Sequence, residues 1–192
     1  MSYATLAELR TYQDIESSTD NDLLQDLLDA ATQAIDDYTH RTFAVSSDTT
    51  RYFDAVGDHI VGGRLDLDTD LAAVTTVTNG DTVVVSSSEY TTTPRNETPY
   101  YAIRLLSQSS KIWTYTNEYM DAIEIVGRWG YSTDTNTPES IKQACKRLAA
   151  FYYKQRDAAL FDVTAIEGGT VIKPQGLPGD VGRLIEPFRL KI

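Results

Sequence analysis

Three carboxylates at alternate positions, in Leu65-Asp66-Leu67-Asp68-Thr69-Asp70-Leu71, are the sharpest concentration of chemistry-bearing side chains in the sequence. Residues two apart on an extended strand share a face. Asp66, Asp68 and Asp70 could therefore hold a hard cation together, as calcium sites and two-metal phosphoryl-transfer sites do. The calcium-loop pattern starting at Asp66 fails, because its sixth position needs glycine and is Leu71, and its twelfth needs glutamate and is Val77. Alternation with Leu65, Leu67 and Leu71 reads more simply as the solvent face of a half-buried strand. The function that the cluster would support, kept as the alternative, is a metal-dependent enzyme acting on nucleic acid through Asp66, Asp68 and Asp70.

Other chemistry has less support. His40 and His59 stand at a helix end and in a loop, with no nucleophile signature beside either. Cys145 is the single cysteine, so no disulfide and no thiolate zinc set can form within the chain. Gly62-Gly63 and Gly168-Gly169 lack the Lys-Ser/Thr ending of a phosphate loop and are turns. The twelve tyrosines are scattered rather than arrayed as a base-stacking platform. The expectation is a protein without catalytic residues, cofactor or bound metal.

The charge is uneven. Residues 1–40 carry nine acids and one arginine, 41–131 carry twelve acids and seven bases, and 132–192 carry seven acids and nine bases, for a net charge of −11. Tight nucleic-acid binding needs a clustered basic surface. This balance argues against it, while leaving DNA free to pass without sticking. No stretch approaches the roughly 20 apolar residues of a membrane helix, and no basic leader precedes an apolar run. A soluble protein made in the cytoplasm, with no membrane partner, is the expectation.

Two amphipathic helices must position whatever the chain does. From Asp20 to about Thr39, Leu23, Leu24, Leu27, Leu28, Ala31, Ala34, Ile35 and Tyr38 share one arc, with Asp22, Asp26, Asp29, Asp36 and Asp37 opposite. From Pro138 to Arg156, Ile141, Ala144, Cys145, Leu148, Phe151 and Tyr152 share another, with Lys142, Lys146, Arg147, Lys154 and Arg156 off it. Each arc is the natural partner of the other. Thr5-Leu6-Ala7-Glu8 has capping-box spacing and predicts a short helix to about Tyr12. Asp180 to Ile185 predicts one or two further helical turns.

Between the long helices the period changes to alternation. Short strands are predicted at Arg51–Phe53, Arg64–Leu67, Ala73–Thr78, Thr82–Val85, Tyr101–Leu105 and Ala122–Val126, with Asn79-Gly80 as a two-residue hairpin turn. These strands look too short and polar for an extensive core of their own. The fold expected is α+β: a small helical bundle of two long helices plus short N- and C-terminal helices, with a β-rich insert between the long ones. Its parts are residues 1–45 with 132–192, including a C-terminal arm, and the insert 46–131.

The order of these parts resembles the head-to-tail connector (adaptor, or head-completion) proteins of long-tailed bacteriophages. The resemblance is carried by Tyr3 with Thr5-Leu6-Ala7-Glu8-Leu9, and by Ala34-Ile35-Asp36-Asp37-Tyr38-Thr39 followed by Arg41 and Phe43. It continues through Trp129-Gly130-Tyr131-Ser132 leading into Pro138, Ile141 and Ala144, and ends with Leu177-Pro178, Val181, Leu184-Ile185 and Pro187-Phe188-Arg189. It covers about half of the chain. Small members join the long helices by a much shorter link, so residues 46–131 depart from the pattern.

The resemblance implies a structural virion protein of the neck, between capsid and tail. It would form a homo-oligomeric ring, usually of twelve subunits, beneath the portal protein and above a head-tail stopper or tail-completion protein. DNA would pass through the ring without specific binding, past an acidic wall that repels phosphate. Glycines and prolines from Gly168 to Gly179 precede an end that alternates Phe188, Leu190 and Ile192 with Arg189 and Lys191. Such a segment suits an added strand or a groove-bound peptide. Leu177, Val181, Leu184, Phe188, Arg189, Leu190, Lys191 and Ile192 are the expected portal-docking residues.

Overall fold

Thr5 opens the first helix as its spacing predicts. The Glu8 N–H donates to Thr5 Oγ1 (3.2 Å) and the Thr5 N–H to the Glu8 carboxylate (2.7 Å), a reciprocal capping box. In this computed structural model, which describes residues 2–158 and 177–190, the helices are α1 (Leu6–Gln13), α2 (Asn21–Thr39), α3 (Glu139–Ala158) and α4 (Gly179–Ile185). The strands are β1 (Thr49–Phe53), β2 (Ile60–Val61), β3 (Arg64–Thr78), β4 (Tyr90–Thr93), β5 (Tyr100–Leu105) and β6 (Ile123–Trp129). The class is α+β. A helical bundle is too narrow a description, since the chain divides into two compact units and the second, Thr42–Asn136, is an antiparallel sheet with nearly half of the residues.

The first unit comprises Met1–Arg41 and Thr137–Ile192. Cys145 Sγ lies 3.8 Å from the Leu28 carbonyl and 3.6 Å from Thr32 Oγ1, and farther along α3 the Tyr153 hydroxyl donates to Asp20 (2.7 Å). As α3 advances α2 recedes, so the two run antiparallel. Ala31, Ala144, Cys145 and Ala149 are fully buried, and such small side chains allow the backbones to come close. Leu24, Leu28, Ile35, Ile141 and Leu148 fill the remaining core, and Leu9 of α1 is also fully buried. Leu23, Leu27, Tyr38, Phe151 and Tyr152, on the same predicted arcs, keep part of their surface in solvent.

The sheet runs in the order β1-β6-β3-β5-β4, with β2 hydrogen-bonded to β3. The separate strands predicted at Arg64–Leu67 and Ala73–Thr78 are one strand of 15 residues, whose first part pairs with β5 and whose second part pairs with β6. Register shifts between Asp66 and Leu71, and again at Leu71/Ala73 and Val74/Thr76, break its alternation. Bulges insert residues that face neither side regularly, and this is why it reads in sequence as two pieces. Gly127 of β6 lets β3 approach: a Cβ there would stand 2.3 Å from the Ala73 carbonyl oxygen.

The sheet unit has an extensive core, contrary to the sequence expectation. Phe53, Leu65, Leu71, Val77, Ile103, Leu105, Ile123, Ile125 and Trp129 come from the strands, and Ala55, Val85 and Trp113 come from loops folded over them. Thr82–Val85 forms no strand beyond a single bridge between Thr78 and Val84. Nor is Asn79-Gly80 a two-residue hairpin turn. Thr82 carries the positive φ (65°), and the buried Asn79 side chain donates to the Ile112 carbonyl (2.9 Å) and accepts from the Thr114 N–H (3.1 Å). The pair fastens the 112–116 segment to the end of β3.

Candidate functional site

The three carboxylates on β3 do not converge. Asp66 Oδ1 lies 2.7 Å from Arg64 Nε, an ion pair at an angle that makes no hydrogen bond. Asp68 receives Arg51 Nη1 on both oxygens, at 3.0 and 3.2 Å. Asp68 and Asp70 fall within the register shift between Asp66 and Leu71, where the alternation that would have put all three on one face is lost. His59 and Asp54 line a surface groove with Asp66 and Asp68. The His59 Nε2 is occupied, however, by the Asp54 backbone carbonyl at 2.9 Å. Among the described residues, no group of three or more His, Cys, Asp or Glu side chains has the spacing of a metal site.

The remaining sequence candidates are structural. His40 ends α2 in the left-handed conformation, its N–H donating to the Asp36 carbonyl (2.8 Å). Cys145 is fully buried, and burial pushes its thiol pKa up, away from the reactive thiolate. Trp129 packs on Phe53, lies under Arg51 and donates its Nε1–H to the Thr49 carbonyl (3.0 Å). Tyr131 packs on Phe43 with ring centroids 5.1 Å apart. This aromatic turn thus closes the sheet unit.

The C-terminal segment is folded against the helices of its own unit. Asp180 pairs with Arg147 (3.0 Å), Arg189 stands over the Tyr38 ring, the Tyr38 hydroxyl donates to Glu186, and the Leu190 N–H donates to the Thr39 carbonyl (2.8 Å). Val181 and Ile185 are buried there. Val181, one of the predicted docking residues, therefore faces inward. Leu177, Leu184 and Phe188 are part-exposed, and Arg189 and Leu190 are exposed. Lys191, Ile192 and the glycine- and proline-rich stretch up to Gly176 lie outside the described residues.

Among the described residues, two surfaces stand out. On α2, Asp22, Asp26, Asp29 and Asp37 are exposed, while Asp36 is half-buried and accepts a hydrogen bond from the Tyr3 hydroxyl. On the sheet unit, large apolar side chains including Ile112, Tyr115, Tyr119 and Met120 are exposed. Sequence reasoning passed over the second surface, because residues 112–121 show neither helical nor strand periodicity. The signal available was their density of aromatic and aliphatic residues between two predicted strands. Among the described residues, no helix is long and apolar enough to cross a membrane.

No curated protein matches the chain. Solved structures share its fold, among them three from gene transfer agent particles. The neck of an empty gene transfer agent (GTA) particle, computed with C6 symmetry, is 17% identical with a TM-score of 0.57, covering 99% of this chain and 91% of that one. The neck of a native GTA particle, computed with C12 symmetry, is 20% identical with a TM-score of 0.54, covering 97% and 89%. The virion of a native GTA particle contains a chain 20% identical with a TM-score of 0.57, covering 99% and 91%. The family model for the head completion protein matches residues 3–190. Matched along almost its whole length, the chain belongs to the head completion protein family.

Proposed function

We propose that this protein is the adaptor ring of the neck: copies assemble into a closed ring beneath the portal and carry the DNA channel toward the tail. The family match over residues 3–190 carries this reading. Ring assembly is supported by the similar fold in necks computed with C6 and C12 symmetry, and twelve subunits is the number we assign. An adaptor needs no catalytic residue, cofactor or metal, and Asp66 and Asp68 of β3 are engaged in separate ion pairs. A net charge of −11 suits a surface past which DNA slides, since like charge opposes adhesion.

Within this reading, residues 1–45 and 132–192 are the connector core, and 46–131 is an addition that contacts another neck component. The portal-docking surface is the C-terminal segment, with Leu177, Leu184, Phe188, Arg189, Leu190, Lys191 and Ile192 as its contact residues and the buried Val181 beneath them. The head-tail stopper or tail-completion protein binds the opposite side of the ring. Electron microscopy of the purified chain mixed with its portal ring tests the assignment. A twelve-fold ring seated under the portal is expected, and a chain that stays monomeric and leaves the portal bare refutes it. Arg189→Glu should weaken portal binding in a salt-dependent way, while unchanged binding moves the docking surface elsewhere.

A further inference from the structure

Three loops leave the same end of neighbouring strands in the sheet unit. Phe53, ending β1, pairs with Ile123 at the start of β6, while Val77 and Thr78, ending β3, pair with Ile125 and Glu124 on the other side of β6. Segments 54–58, 79–85 and 112–122 therefore lie side by side. Hydrogen bonds tie them together: Ala55 N–H to the Tyr119 carbonyl (2.7 Å), Asp121 N–H to the Asp54 carboxylate (2.9 Å), and Thr116 N–H to the Gly80 carbonyl (3.2 Å), besides the Asn79 clamp.

These tied loops display Val56, Val84, Ile112, Tyr115, Tyr119 and Met120, each between 42% and 71% exposed. They are not spare core. Ala55, Val85 and Trp113, the immediate neighbours of three of them, already fill the inward side, and the Trp113 Nε1–H is bonded to the Gly63 carbonyl (2.9 Å). Large apolar side chains gathered outward on a fixed frame mark interaction sites. The same loops carry Asp54, Asp58, Asp81, Glu118 and Asp121 and no lysine or arginine, with Lys111 immediately before the third.

We propose that this end of the sheet unit is a docking surface for a second, non-identical neck protein whose contact face is apolar and rimmed by lysine and arginine. The acidic rim selects the occupant. The same end of another copy would oppose acid to acid, and nucleic acid would oppose acid to phosphate, both unfavourable. A basic-rimmed protein face satisfies both the apolar centre and the charge. The inference rests on the reading of the chain as a neck adaptor, which places other proteins within reach.

A photo-reactive benzoylphenylalanine at position 112 of the full chain provides the test. It is irradiated in mixtures with the purified portal ring and, separately, with the purified tail-side neck protein. A crosslink to one of these, in a peptide carrying lysine or arginine, is expected. Crosslinks only to another copy of the chain, or to neither protein, overturn the proposal. The double variant Ile112→Glu, Met120→Glu should bind the crosslinked partner at least tenfold more weakly while keeping its melting temperature and its ring; unchanged affinity also overturns the proposal. Ring formation and portal binding by the wild-type chain test the adaptor reading separately, so with both intact a failure falls on the docking surface alone.

Discussion

Asp36 couples protonation to folding. Burial first, then the neighbouring Asp37 carboxylate, push its pKa from the ordinary 3.8 up to about 6, against the opposing hydrogen bond from the Tyr3 hydroxyl. A raised carboxyl binds more protons in the folded state, so its favourable contribution is present in full below the unfolded value and is lost as pH rises from about 4 through 6. Asp36→Asn, which can still accept from Tyr3, should raise stability at pH 7 by on the order of 1 kcal/mol, discounted because the group is only half-buried, and change little near pH 4. Denaturant melts at both values check this, and a less stable variant at pH 7 would mean that the Tyr3 bond outweighs desolvation. Burial also grades the apolar arc of α2. Leu28→Ala and Leu148→Ala, at fully buried positions, should each cost about 2–5 kcal/mol, and part-exposed Leu27→Ala distinctly less. Equal losses for Leu27 and Leu28 by thermal melting would contradict this grading.

The long helices were legible from a 3.6-residue apolar period, and α1 from the Thr5–Glu8 capping box at its start. What the period could not grade was depth, since an arc wide enough to hold Leu23, Leu27 and Tyr38 marks a face without saying how far a partner covers it. The sheet was less legible for a local reason. β3 is a single strand whose bulges interrupt the alternation that sequence patterns rely on, so its length, and with it the core it organises, was hidden. Asn79-Gly80 misled in a related way, because its value lies in contacts with residues 112–116 far along the chain. The exposed loop surface was legible only as a density of aromatic and aliphatic residues, since nothing periodic distinguishes an outward Ile112 from an inward Trp113. Asn79→Ala removes a buried donor and acceptor together and should lower the stability of the sheet unit by about 1–3 kcal/mol. Gly127→Ala drives a Cβ against the Ala73 carbonyl and should be at least as damaging. A cooperative melt unchanged in both variants would show that neither contact fixes the sheet.

At the scale of the whole chain, the sheet unit is inserted between the long helices so that its two ends meet. The Val45 N–H donates to the Ser132 carbonyl (3.0 Å), the Asp134 N–H to the Val45 carbonyl (3.2 Å) and the Tyr131 N–H to the Thr42 carbonyl (2.7 Å), while Phe43 packs on Tyr131. Val45 and Thr133 form a parallel bridge, and a Cβ on Gly130 would collide with Val45 and the Thr42 carbonyl. A segment whose ends are paired within itself closes its own loop, so little chain entropy depends on what lies beyond them. It also has its own core, with Leu65, Ile103, Ile123 and Ile125 fully buried. Together these predict that residues 42–136 fold as an autonomous unit. Expressed alone, the fragment should give a single cooperative thermal transition and dispersed amide resonances, and it should retain a buried-Trp fluorescence signature from Trp113 and Trp129, which lose their solvent shielding if the fold opens. In the full chain, a substitution confined to this unit, such as Asn79→Ala, should then lower one transition and leave the Leu28- and Leu148-dependent one in place. A fragment that is collapsed but non-cooperative, or a full chain in which Asn79→Ala and Leu148→Ala shift one common transition equally, would show instead that the sheet folds only as part of the helical unit.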